Sequence, residues 1–189
     1  MHRNVTVVGL AMLLTIPSSA ALAQTKMTKA QKIANAMTAA PRSISANAAI
    51  MDWPATEGAQ MATLRDGSNG WTCLPDFPGT KGNDPMCVDA QWMSFMDAMM
   101  SKTNPTITHA GVGYMIAPGG AYGSNKDPYA SKATADNEWG YDPPHVMLLV
   151  TDQGSLRAMP TTRQSGGPWV MWSGTPYAHV MIPVTSMKK

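Results

Sequence analysis

The chain has 189 residues, a formal net charge of +2, 44% hydrophobic side chains and only 14% charged ones. That length supports one domain with a real core and leaves little for a second. The small net charge excludes a partner held by bulk charge, nucleic acid above all.

The first segment reads as an address rather than as fold. His2 and Arg3 form a short basic start, Val5–Ile16 is an apolar run, and Pro17-Ser18-Ser19 break it. Ala21-Leu22-Ala23 puts small residues at both recognition positions. Residues 1–23 are expected to be a secretory signal peptide, and residues 24–189 a single globular domain, periplasmic or extracellular. The apolar run is shorter than the roughly 20 residues a membrane span needs. Export makes the cysteines legible. Cys73 and Cys87 are the only two in the chain, and in an oxidising compartment they are expected to pair. Neither a Cys-x-x-Cys redox motif nor a four-ligand zinc spacing is present.

In chain order, Thr28 and Gln31 spell a capping box. Ala30, Ile33, Ala34 and Met37 follow at helical spacing, and Pro41 ends the segment. Lys29 and Lys32 are expected on its solvent face. Residues 43–49 read as one further helical turn at most, and Ala49–Trp53 as a strand. Ala62–Arg65 and Trp71–Leu74 flank Asp66-Gly67-Ser68-Asn69-Gly70, which predicts a hairpin. Asp84-Pro85 predicts a helix start, with Asp84 as cap. The stripe Val88, Trp92, Phe95, Met96 and Met99 carries that helix to about Lys102. Gly111–Ala117, Val146–Thr151, Trp169–Ser173 and Ala178–Val184 read as strands. The unalternating run Val146–Val150 predicts a strand buried on both faces. Between the first two strands, residues 118–144 form a long loop rich in Gly, Asn, Asp, Pro and Tyr, a length that is usually functional.

Two stretches carry a resemblance. Asn69-Gly70-Trp71-Thr72-Cys73-Leu74-Pro75-Asp76, with Pro78-Gly79-Thr80 and Asn83-Asp84-Pro85-Met86-Cys87, is one. The other runs from Pro168-Trp169-Val170-Met171-Trp172 through Gly174-Thr175-Pro176-Tyr177-Ala178-His179 to Val184. Both resemble an uncharacterised family of small secreted bacterial proteins. The resemblance implies export and a single domain, and it brings no catalytic residue with it.

The candidate chemistry lies late in the chain. His145-Val146-Met147 and His179-Val180-Met181 repeat the pattern His-x-Met. On a strand, positions i and i+2 share a face, so each unit presents one imidazole and one thioether together. That donor set suits Cu(I), and His145, Met147, His179 and Met181 are the candidate metal ligands. Of the seventeen methionines, only Met1 and Met12 fall in the expected leader. Methionine also fills irregular gaps in ordinary cores. A second candidate is a ligand pocket beneath the long loop, built from Trp139, Tyr141, Asp142, His145, Tyr177 and His179. There His145, delivered by Pro143-Pro144 close to Asp142, is placed as a general base for a hydrolase. Asp76, Asn83 and Asp84 offer oxygen atoms without the ligand order of a calcium loop, and capping and turn-making account for them. No Gly-x-Ser-x-Gly elbow, phosphate loop or His-Glu-x-x-His is present.

The expected architecture is an α+β domain: a twisted antiparallel sheet of five to seven strands, covered on one face by two main helices. The expected function is a non-enzymatic exported protein that binds copper or a small organic molecule. The alternatives are a secreted hydrolase using His145 with a carboxylate, and an interaction module with a methionine-rich surface.

Overall fold

The computed structural model describes residues 27–56 and 58–184. The expected leader and the Ser186–Lys189 tail lie outside the described residues.

The capping box forms as predicted. The Gln31 backbone N–H donates to Thr28 Oγ1 at 3.3 Å, and the Thr28 N–H donates to Gln31 Oε1 at 2.8 Å. Helix α1 spans Lys29–Ala36, tightens into a 3-10 turn over Met37–Ala39, and is followed by the one-turn helix α2, Arg42–Ser45. Lys32 does not simply face water. Its ammonium reaches Asp52 at 2.5 Å and both side chains are largely covered.

Strands β1 (Ala49–Asp52), β2 (Ala62–Arg65), β3 (Thr72–Leu74), β4 (Met86–Val88), β5 (Gly111–Met115), β8 (His145–Leu149), β9 (Trp169–Met171) and β10 (His179–Pro183) form one sheet. Its order is β2-β1-β3-β4-β5-β8-β10-β9. Strands β6 (Ala121–Ser124) and β7 (Trp139–Asp142) make a separate two-stranded hairpin. The sheet is therefore larger than five to seven strands, and it is mixed, because β1 runs parallel to β3. The expected β2–β3 hairpin does not form. The six-residue connection 66–71 instead steps across the end of β1, with the Ser68 N–H on the Asn47 carbonyl and the Ala49 N–H on the Trp71 carbonyl. Gly67 sits where any Cβ would lie 2.0 Å from the Ala49 nitrogen, so the crossing demands glycine there.

Helix α3 covers Ala90–Met100 and begins later than Asp84-Pro85 predicts. Residues 86–88 extend instead, because Cys87 lies directly opposite Cys73 in the β3–β4 ladder and is bonded to it. The cap is Asp89, whose carboxylate accepts from the Trp92 N–H and also from the Val112 N–H. The predicted stripe holds: Trp92, Phe95 and Met96 are buried, while Ala90, Ser94, Asp97 and Ser101 face out.

The two main helices lie on opposite faces of the sheet. α3 covers the face that carries Leu74, Val88, Met147, Leu149, Trp169 and Met181. α1 and α2 cover the other face at the β1–β5 end, over Ile50, Cys73 and Cys87. At the far end of that second face, a 3-10 segment over Gln153–Ala158 brings Leu156 onto Val170 and Val180. β8 is buried on the α3 face and only partly covered on the other, where Val146 and Leu148 stay half-buried, so the full two-sided burial its unalternating sequence predicts is not reached. Each fully buried large side chain, such as Phe95 or Leu149, contributes roughly 1.5–3 kcal/mol. No helix among the described residues is long and apolar enough to cross a membrane.

The disulfide closes the loop between two neighbouring strands. Replacing both cysteines by alanine should lower the unfolding free energy by roughly 3 kcal/mol, measured by urea titration. An unchanged midpoint would show that the loop is held without it.

Candidate functional site

The long segment over residues 118–144 is a roof. Its two strands pair from Ala121↔Asp142 to Ser124↔Trp139 and lie over the α3 face of the main sheet. Between roof, sheet and α3 is a cavity of about 260 Å³. Eight methionines line it, among them Met115, Met147, Met171 and Met181, together with Trp92, Trp139, Trp172, His145 and His179.

Strand register explains why these residues meet. β8 and β10 are antiparallel neighbours, with Met147 opposite Met181 and His145 opposite Pro183. Directly opposed residues share a face. Both His-x-Met units therefore point to the same side. His145 has Met115 of β5 directly opposite it, and His179 has Met171 of β9 directly opposite it. Their strand positions are staggered by four residues, roughly 13 Å along the strand, with the Met147–Met181 pair between them. The two rings still feel one another, since the charge of His145 helps to lower His179. Along the sheet the four positions form a row. Gly113 gives this row space, since a Cβ there would lie 2.8 Å from the Met147 methyl.

Both imidazoles are prepared in the same way. His145 Nδ1 is 2.6 Å from the Pro143 carbonyl, and His179 Nδ1 is 3.0 Å from the Tyr177 carbonyl. A carbonyl only accepts, so each Nδ1 carries the proton and each Nε2 carries the lone pair. Burial holds both rings in the neutral form: it lowers His145, and it lowers His179 to about 4, against the smaller opposing pull of the carbonyls. Three aromatic rings, Trp92, Phe95 and Trp172, stand edge-on around His179, with Trp172 at 4.9 Å. Two buried polar atoms have no protein partner: His145 Nε2 and Trp92 Nε1. Both belong to cavity residues. Trp172 is held at φ +54, a strained conformation for so bulky a side chain. Its indole N–H donates to the Ser124 carbonyl and its backbone N–H to the Asn125 carbonyl.

The other sequence candidates divide. Trp139 and Asp142 line the cavity. Tyr141 stands on the outer side, paired with Tyr122 at 5.3 Å. Tyr177 packs beside the cavity, accepting from the Tyr129 hydroxyl at 2.8 Å and donating to the Thr103 carbonyl at 2.9 Å. Asp142 does not orient His145. Both its oxygens accept from the buried Arg163 guanidinium. Arg163 also donates to the carbonyls of Glu138 and Gly123. A charge taken out of water needs this degree of compensation, and the result ties the roof to the body. Neither Arg163 nor Asn125, which accepts from the Trp169 indole and donates to the Thr161 carbonyl, has any local sequence signal.

Among the described residues no group of three or more His, Cys, Asp or Glu gathers in one place. Asp84 is not a helix cap but the base of a loop, accepting from the Phe77 N–H and the Thr80 hydroxyl. Met100, at 44%, is the most exposed methionine among the described residues. It is shared with an open groove lined by Met51, Met61, Met93 and Asp97. No known protein family, characterised protein or solved structure matches the chain.

Two outcomes follow from this geometry. Arg163→Ala strands the Asp142 carboxylate and should cost about 3–5 kcal/mol, with faster amide exchange across residues 121–124 and 139–142. Unchanged exchange there would show the roof to be anchored elsewhere. Separately, burial and the neighbouring Asp84 carboxyl raise Asp76 to about 6. A carboxyl so raised holds its proton in the folded chain where the unfolded chain has lost it. Its stabilising contribution is therefore present below about pH 4 and is lost as pH rises towards 6. Urea midpoints should show Asp76→Asn gaining on the wild type across that window, and a constant difference would refute the assignment.

Proposed function

We propose that this is an exported, non-enzymatic binding protein that takes a soft monovalent metal ion, Cu(I) first, into the roofed cavity. The observation that carries the reading is the state of the two imidazoles. Each is neutral and fixed through Nδ1 to a backbone carbonyl, the His145 Nε2 is buried without a partner, and both rings line a cavity with eight methionines. Ordinary core packing needs neither the cavity nor the unpaired Nε2 of His145. Backbone anchoring of the remote ring nitrogen is the arrangement that orients metal-binding histidines. Thioether with imidazole selects Cu(I) over hard cations, and the only carboxylate in reach of His145, that of Asp142, is occupied by Arg163. The leader-like first segment and the disulfide fit an exported protein.

This geometry gives a hydrolase little support, because His145 has no carboxylate partner. A methionine-rich docking surface has less support, since eight methionines line the roofed cavity while four line the open groove. A small organic ligand is the second reading. It is favoured by the Trp92 indole N–H, an unpaired donor that no cation would satisfy.

Anaerobic competition for Cu(I) against a coloured chelator such as bicinchoninate tests the first reading. Wild-type protein should withdraw the metal. His145→Phe/His179→Phe, shown to be folded by circular dichroism, should not. A wild type that leaves the chelator fully loaded overturns the proposal.

A further inference from the structure

We infer that the cavity holds two soft monovalent ions, not one, in two half-sites with the same donor set, related by the register of the sheet. The inference rests on the reading above and extends it.

The argument begins with what each imidazole finds around it. His145 has Met115 directly across the ladder on one neighbouring strand and Met147 two residues along its own strand. His179 has Met171 directly across on its other neighbour and Met181 two residues along. Each half therefore offers one imidazole and two thioethers, in the same relation to the sheet. Each imidazole is braced by the carbonyl two residues before it, Pro143 in one half and Tyr177 in the other. All six side chains line the same cavity. Three soft donors are a sufficient set for Cu(I).

The spacing argues against a single shared ion. His145 lies opposite Pro183, and His179 is four residues further along that strand. That offset is roughly 13 Å, whereas a metal-to-nitrogen bond is about 2 Å. One ion bound by both rings would have to draw them together across the Met147–Met181 pair. The fixed Nδ1 bonds oppose that movement. Two ions instead leave each ring where its own carbonyl holds it. At such a separation and an effective dielectric of about 20, mutual repulsion weakens the second ion by about ninefold. Uptake should therefore be sequential.

The test is native mass spectrometry of the purified full chain titrated with Ag(I), a redox-stable soft monovalent ion, with Cu(I) under reducing atmosphere as a check. The expected result is two ions on the wild type, one on His145→Phe, one on His179→Phe and none on the double variant. Met115→Leu and Met171→Leu nearly conserve volume and keep the fold. Each should lose one ion, and in the double variant both should go. A wild type that binds a single ion, lost in either histidine variant, overturns the two-site inference and leaves the binding function intact. Two ions retained by both methionine variants also overturn it, because the thioethers would then not be ligands. A wild type that binds no ion ends both readings together.

Discussion

The guanidinium of Arg163 carries the architecture of the site. It reaches across from a 3-10 turn and meets the carboxylate of Asp142 and the carbonyls of Glu138 and Gly123, all belonging to the β6–β7 hairpin or its flank. Both charged groups are nearly inaccessible. Such a pair repays its desolvation only when every donor and acceptor is used, and here the backbone of the hairpin completes the set. This anchor holds the roof over the Met- and His-bearing face of the sheet, together with Asn125 and the indoles of Trp169 and Trp172.

A chamber of this composition differs from ordinary core in what it leaves unpaired. Buried polar atoms in folded proteins are nearly always satisfied. The cavity holds one lone pair and one N–H that are not, next to a tryptophan whose backbone sits in a region few bulky residues adopt. All three belong to cavity residues, while other buried polar groups, such as Gln91 with Thr106 and Thr108, are engaged.

Legibility in the sequence followed distance along the chain. The capping box of α1, the stripe of α3 and the four late strands depend on neighbours a few residues away, and these were readable. The placement of β1 between β2 and β3 was not, because the glycines of residues 66–70 signal a turn without stating what the turn crosses. Asp84-Pro85 resembled a helix start more than Asp89 did, yet the covalent demand of Cys87 on Cys73 kept residues 86–88 extended. The repeated His-x-Met pattern was visible, and its two copies do share a face. Their staggering was not visible, since register is set by pairing between strands about thirty residues apart. Arg163 was silent for the same reason: nothing near it in the chain announces a partner 21 positions earlier.

The order of the sheet also governs how the molecule behaves towards its own kind. The two outermost strands are β2 and β9, of four and three residues. β2 pairs with its neighbour through a shift in register between Ile50 and Met51, and it ends on Arg65, whose guanidinium turns inward to the Ser45 and Ala48 carbonyls. On β9, Pro168 stands immediately before the first residue and cannot donate a hydrogen bond. Short, irregular and proline-flanked margins offer a poor template for another chain. An eight-stranded sheet rich in valine, leucine and methionine is thereby kept from extending itself edge to edge into aggregates.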